Sequence, residues 1–178
     1  MYIWLGIEVE GQLAAAKERA LAVEREMGFG LSCFTLPMHV SLKMSFPMDD
    51  ARAPEVMEFV KGYYAALSPF LMRVRGPEAD GPILWIRMER SAELDRIHDE
   101  LNEQLLLRYG VGLHEYDTDY KFHTTLFMDG DEARIREAYS RIQDVCLPET
   151  LTASRFVIGT SETGALGSYS VCESITVG

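Results

Sequence analysis

Along residues 2–9, apolar Ile3, Leu5, Ile7 and Val9 alternate with other side chains, and that period of two predicts a strand. The period then lengthens. Leu13, Ala16, Ala20, Val23 and Met27 fall on one face of a helix, and a loop around Gly28 and Gly30 leads to a second strand over about 37–46. Pro54, well tolerated in a first helical turn, opens another helix with Val56, Phe59, Val60, Tyr63 and Leu67 inward. A third strand is predicted near 69–75.

The turn-rich run Gly76-Pro77-Glu78-Ala79-Asp80-Gly81-Pro82 reads as a connection, after which the same order returns. A strand at 83–89 precedes a helix with Leu94, Ile97, Leu101 and Leu105 at helical spacing. A loop around Gly110 and Gly112 enters a strand at 120–128. A helix after Asp129 carries Ile135, Ala138, Ile142 and Val145, and strands at about 151–159 and 168–177 close the chain. The pattern predicts one bilobed domain over 1–178, with halves of about 1–76 and 82–178 joined by 76–82.

Two short segments stand at equivalent places in the halves: His39-Val40-Ser41-Leu42 and His123-Thr124-Thr125-Leu126, 84 positions apart. Each reads His, any residue, a hydroxyl residue, Leu. Strict alternation puts His39, Ser41, Lys43 and Ser45 on one strand face, and Lys121, His123, Thr125 and Phe127 on one face of the other. If a pseudo-twofold relates the halves, these faces oppose each other across a cleft. One imidazole then takes a proton from water while the other gives one to a leaving oxygen, and His suits both tasks because its ordinary pKa is about 6.5. Ser41 and Thr125 become donors to the non-bridging oxygens of a phosphodiester, and Lys43 and Lys121 supply positive charge. The scheme uses no metal and no cofactor.

Charge narrows the substrate. Seventeen basic against 28 acidic residues give a net charge of −11, which repels long polyanions; a long duplex nucleic acid is not an expected partner. Tyr2 and Trp4 lie opposite the apolar face of the first strand, and Trp85 and Arg87 opposite that of its counterpart. The aromatic rings are candidates to stack on a nucleobase and Arg87 to bind phosphate, against the alternative that the rings fill the waist between lobes. His98 sits on the inner side of its helix and reads as a buried, hydrogen-bonded residue; His114 lies in an acidic, solvated loop. Cys33, Cys146 and Cys172 form no metal or CxxC spacing and read as small buried thiols in a reducing compartment. No apolar run is long enough to span a bilayer and the N-terminus has no signal-peptide pattern, so a cytoplasmic protein with no membrane partner is expected.

On the segments His39-Val40-Ser41-Leu42-Lys43 and His123-Thr124-Thr125-Leu126, and on the duplicated layout around them, the chain resembles the two-histidine (2H) phosphoesterase superfamily, also called 2′-5′ RNA ligase-like proteins. The resemblance implies an α+β, bilobed, duplicated fold, two antiparallel sheets flanking a central cleft with helices outside. It implies metal-independent opening of a cyclic phosphodiester, in a 2′,3′-cyclic nucleotide or a short RNA end, with His39, Ser41, His123 and Thr125 as the motif residues. Relatives that act on linear 2′-5′ linkages or on cyclic oligonucleotide signals, and a nucleotide- or RNA-binding module without turnover, are the alternatives.

Overall fold

The computed structural model describes residues 1–29 and 33–178; the expected loop at Gly30 lies outside them. Among the described residues, eight strands form two four-stranded antiparallel sheets, accompanied by four α-helices. The first half supplies β1 (Tyr2–Glu8), α1 (Ala14–Met27), β2 (His39–Pro47), α2 (Ala53–Ala65) and β3 (Phe70–Asp80). The second supplies β4 (Ile83–Met88), α3 (Ala92–Tyr109), β5 (His123–Met128), α4 (Glu132–Ile142), β6 (Thr150–Ala153), β7 (Arg155–Ser161) and β8 (Ser170–Thr176).

Local chemistry fixes the helix ends. Ser91 accepts a hydrogen bond from the Leu94 amide at the start of α3, and Asp131 caps α4 by accepting from Ala133. Gly28 and Gly110 end α1 and α3 in the left-handed conformation, at φ 63° and 72°.

The sheets are ordered β2-β1-β7-β8 and β5-β4-β3-β6. Each therefore takes strands from both sequence halves. The expected connection at 76–82 is mostly strand: β3 continues to Asp80 and forms a hairpin with β4, leaving only Gly81 (φ 57°) and Pro82 as its turn. Gly76 and Pro77 mark an irregularity in that ladder, between Val74 and Gly76, rather than a loop. The single strand expected at 151–159 is two. β6 pairs with β3, Ser154 follows, and β7 pairs with β1 in the other sheet. The chain crosses between sheets there with no glycine or proline to announce it.

The core includes the inner face of each helix and the central strands. Ile3, Leu5, Ile7, Leu84, Ile86, Phe156 and Ile158 are fully buried. Tyr64, expected on no core face, is buried against Phe156 with ring centroids 4.9 Å apart. Cys146 and Cys172 are exposed, against the expectation of burial.

Trp4 lies flat against two glycines. Gly159 is its partner on β7, and Gly6 is two residues along its own strand. A Cβ at Gly159 would stand 2.6 Å from the indole Cε3, and one at Gly6 2.5 Å from Cζ2. The two missing side chains make the bed on which the ring rests. Gly159→Ala is therefore expected to displace Trp4 and to destabilise the fold by about 1–3 kcal/mol, as over-packing does; urea unfolding and the near-UV circular dichroism of the tryptophans measure both effects.

Candidate active site

β2 and β5 are edge strands of different sheets, and they run beside each other where the sheets meet. His39 and Ser41 on β2, and His123 and Thr125 on β5, line one shared cavity of about 720 Å³. All four side chains are part-exposed, while Val40, Leu42, Thr124 and Leu126 between and after them are buried.

Alternation then stops at the same place in both strands. Between Ser41 and Lys43 the register with β1 slips by one residue, leaving Leu42 extra; between Thr125 and Phe127 the register with β4 slips likewise, leaving Leu126 extra. Each bulge turns the next residue inward. Two expected site residues are thereby corrected. Phe127 is 2 % exposed and packs on Phe29, with ring centroids 4.7 Å apart. Lys43 is 1 % exposed, and its ammonium donates to Asn102 Oδ1 at 2.5 Å, to the Gly112 carbonyl at 3.2 Å and to Asp117 Oδ2 at 2.5 Å. It holds the fold and offers nothing to a phosphate. A second irregularity on β2, opposite Trp4, leaves consecutive Met44 and Ser45 both lining the cavity.

The two imidazoles are held alike. His39 Nδ1 donates to the Pro37 carbonyl at 2.7 Å and His123 Nδ1 to the Lys121 carbonyl at 2.5 Å, each two residues upstream. Nε2 is then the nitrogen left for chemistry in both rings. Each ring also packs on the tryptophan of the neighbouring strand, His39 on Trp4 at 4.2 Å and His123 on Trp85 at 4.3 Å between centroids. Burial pushes both pKa values down to about 4 against the pull of the carbonyl bonds; His123 adds to the lowering at His39, and Arg87 and Lys121 add to it at His123. In the free protein both rings are neutral at neutral pH.

The hydroxyls differ. Trp4 Nε1 donates to Ser41 Oγ at 2.8 Å, which leaves Ser41 its proton to donate, with the Tyr120 hydroxyl already in hydrogen-bonding reach. Trp85 stands opposite Thr125 in the ladder, but its buried Nε1 makes no hydrogen bond. Trp4 and Trp85 are each 6 % exposed, so they form the floor of the cavity rather than a free stacking platform. Tyr2 packs over Gly164, where a Cβ would lie 2.9 Å from its ring, and is not part of the wall. Arg87 is the ladder partner of His123 but faces Glu78 at 3.7 Å, also off the wall. Lys121 does line the cavity, with its Nζ 2.8 Å from Asp80 Oδ2.

Alternation could not find the rest of the wall. Glu115, Tyr116 and Asp119 come from the 3-10 turn after α3, Tyr120 from the extended residue that follows it, and Leu166, Gly167 and Tyr169 from the β7–β8 loop. The turn is anchored by Asp117, which accepts from the His114 amide at 2.7 Å and pairs with Lys43. Burial works against the Asp117 carboxylate, but bonds to His98, Lys43 and the His114 amide bring its pKa down to about 2. His98 stacks on Tyr120 at 4.6 Å; burial lowers its pKa, yet Asp117 and Asp99 outweigh that and the net shift is upward. His98 is thus the buried, satisfied residue expected, and His114 caps the turn through its Nδ1. Tyr169 joins the far loop to β2 by a hydrogen bond with Ser45.

A family model of the 2′-5′ RNA ligase superfamily matches residues 33–165, a span that contains both His segments. The chain belongs to this superfamily. Solved members of the same fold align along almost their whole length. TT0787 of Thermus thermophilus is 16 % identical with a TM-score of 0.66, covering 99 % of this chain and 98 % of that one. LigT of E. coli, complexed with 3′-AMP, is 12 % identical with a TM-score of 0.59, over 98 % and 96 %. Usb1 of Kluyveromyces marxianus is 13 % identical with a TM-score of 0.51, over 99 % and 98 %. No curated protein sequence matches. The resemblance read from two His segments is thus established for the family, as is the α+β fold with its two antiparallel sheets. This 2H phosphoesterase superfamily acts on phosphodiesters, and among the described residues no helix is long and apolar enough to cross a membrane.

Two outcomes test the site's energetics. Lys43→Met leaves Asp117 as an uncompensated buried charge, and a loss of about 3–5 kcal/mol is expected in urea unfolding. Adding Asp117→Asn, which keeps an acceptor for the His114 amide, should recover part of it. For the imidazoles, the folded pKa of about 4 lies below the unfolded value near 6.5. Their stabilising effect is complete above about pH 6.5 and is lost as pH falls toward 4, because the unfolded chain binds protons first. In the variant with both His39→Gln and His123→Gln, the urea midpoint should fall less steeply than in the parent over that window.

Proposed function

We propose that this chain opens a small cyclic phosphodiester, a 2′,3′-cyclic nucleotide or its equivalent at a short RNA end, without a metal. The observation that carries this is the pair of imidazoles, each bound at Nδ1 and each beside a hydroxyl, in one cavity of about 720 Å³. That volume suits a nucleotide rather than a folded polymer. E. coli LigT, of the same fold, is known in complexes with 3′-AMP and with phosphate.

In the reaction, Nε2 of one histidine takes a proton from water as the water oxygen bonds to phosphorus. The P–O bond to one ribose oxygen breaks, and Nε2–H of the other histidine protonates that oxygen. Ser41, already an acceptor from Trp4, donates its proton to a non-bridging oxygen, and Thr125 does so from the other side. The second histidine has to be charged for its task, although burial disfavours charge. The phosphate itself supplies the compensation, since an anion between the rings raises both pKa values.

His39→Ala and His123→Ala are each expected to lower kcat by about 10²–10⁴-fold on a 2′,3′-cyclic mononucleotide, with the double variant costing less than the product. Phosphorus NMR in the presence of a chelator reads ring opening directly. Full activity in either single variant removes that histidine from the chemistry, and loss of wild-type activity with chelator replaces the scheme with a metal mechanism.

The pH profile carries a further expectation. kcat/KM reports the free enzyme, where the acid is protonated only below about pH 4, so it should fall as pH rises above that value. kcat reports the complex, and its descending limb should lie at higher pH. Coincident limbs would mean that the bound phosphate does not raise the histidine pKa.

A further inference from the structure

The cavity walls carry three carboxylates, Asp80, Glu115 and Asp119, and one ammonium, Lys121. The cations nearby are matched. Lys121 pairs with Asp80 at 2.8 Å, Arg87 with Glu78 at 3.7 Å, and Arg90 with Asp119 at 3.8 Å. Lys43, the cation on the motif strand, is sealed inside with Asp117. The remaining wall is apolar and aromatic, with Leu36, Met44, Tyr116, Leu166 and Tyr169 among its residues. A phosphate held by the two histidines and two hydroxyls therefore has Arg87 and Lys121 acting on the His123 side, and beyond them a largely apolar wall whose cations are already paired and whose Glu115 carboxylate is not.

From this, and resting on the phosphodiesterase reading above, we infer the substrate class: a cyclic phosphodiester with a single negative charge, whose organic part is aromatic and otherwise uncharged. A second phosphate, whether a 5′-phosphate or the next link of an RNA strand, would share the cavity with Asp80, Glu115 and Asp119 and find no unpaired cation on its described wall. With Asp80 and Asp119 ion-paired, the wall's excess is one carboxylate, Glu115; facing a dianion at roughly 10 Å in water it lowers binding about fourfold at low salt, and screening weakens this. The whole-molecule charge of −11 acts in the same direction on approach. The aromatic part gains instead from the tyrosines, which offer apolar ring faces without charge.

The test compares adenosine 2′,3′-cyclic phosphate with the same compound carrying a 5′-phosphate, at low and high salt. The expected kcat/KM is about fourfold greater without the 5′-phosphate at low salt, and the ratio shrinks as salt rises. The triple variant Asp80→Asn, Glu115→Gln, Asp119→Asn should bring the low-salt ratio close to one. Equal or better turnover of the 5′-phosphorylated compound by the wild type overturns the inference, as does a ratio the triple variant leaves unchanged. If neither compound is opened, the phosphodiesterase reading fails while charge selection is still measured. Calorimetric titration with adenosine 2′-monophosphate and adenosine 2′,5′-bisphosphate then decides it: weaker binding of the bisphosphate upholds selection, and equal or tighter binding rejects it.

Discussion

Each histidine of the cavity is committed at Nδ1 to a carbonyl two residues upstream, and that bond decides which atom can do chemistry. The carbonyl belongs to the segment that enters the histidine's strand, just before the strand begins, so the ring is aimed by its local backbone and by a tryptophan packed against it. The Nε2 atoms are held by rigid elements, which is what proton transfer at a fixed distance requires. The price is burial: both rings are pushed toward neutrality, and only an anion in the cavity restores the charge that a proton donor needs.

A bulge immediately after each hydroxyl is the second common device. A strand with a polar face can line a cavity for only as long as that cavity lasts; beyond it the same face would bury Lys43 and Phe127 or leave apolar residues in water. One extra residue, Leu42 in one strand and Leu126 in the other, redirects the chain inward. The two halves then use the turned-in position differently. On β5 it holds a phenyl ring among phenyl rings. On β2 it holds a lysine, and a buried lysine is tolerated only with a carboxylate and further acceptors around it. Asp117, Asn102 and the Gly112 carbonyl meet that need. Because Asp117 sits in the turn that carries Glu115, Tyr116 and Asp119, satisfying the lysine also fixes a wall of the cavity to the motif strand.

The two lobes are not the two sequence halves. β3 crosses to pair with β4, and β7 returns to pair with β1, so each sheet is closed by a strand from the other half. The exchange holds the edge strands β2 and β5 beside one another. It also places Gly159 under Trp4, a contact between residues 155 positions apart.

Much of this was legible in the residues alone. The four helices, the duplicated order, and the pairing of His39 with Ser41 and of His123 with Thr125 follow from local periodicity, which depends on neighbours two to four positions away. The reading failed where a distant strand chooses the register. The bulges that bury Lys43 and Phe127 are set by pairing with β1 and β4, and the break at Ser154 by the competing claims of β3 and β1. Tyr2 and Arg87 lie on the faces alternation assigned to them, yet Gly164 and Glu78 draw their side chains off the cavity wall. The sequence by itself determined which residues can carry a proton or a hydrogen bond, because that is a property of each side chain and its strand. Only the tertiary structure decided which of them share a cavity, because register and burial are fixed by partners brought together from far along the chain.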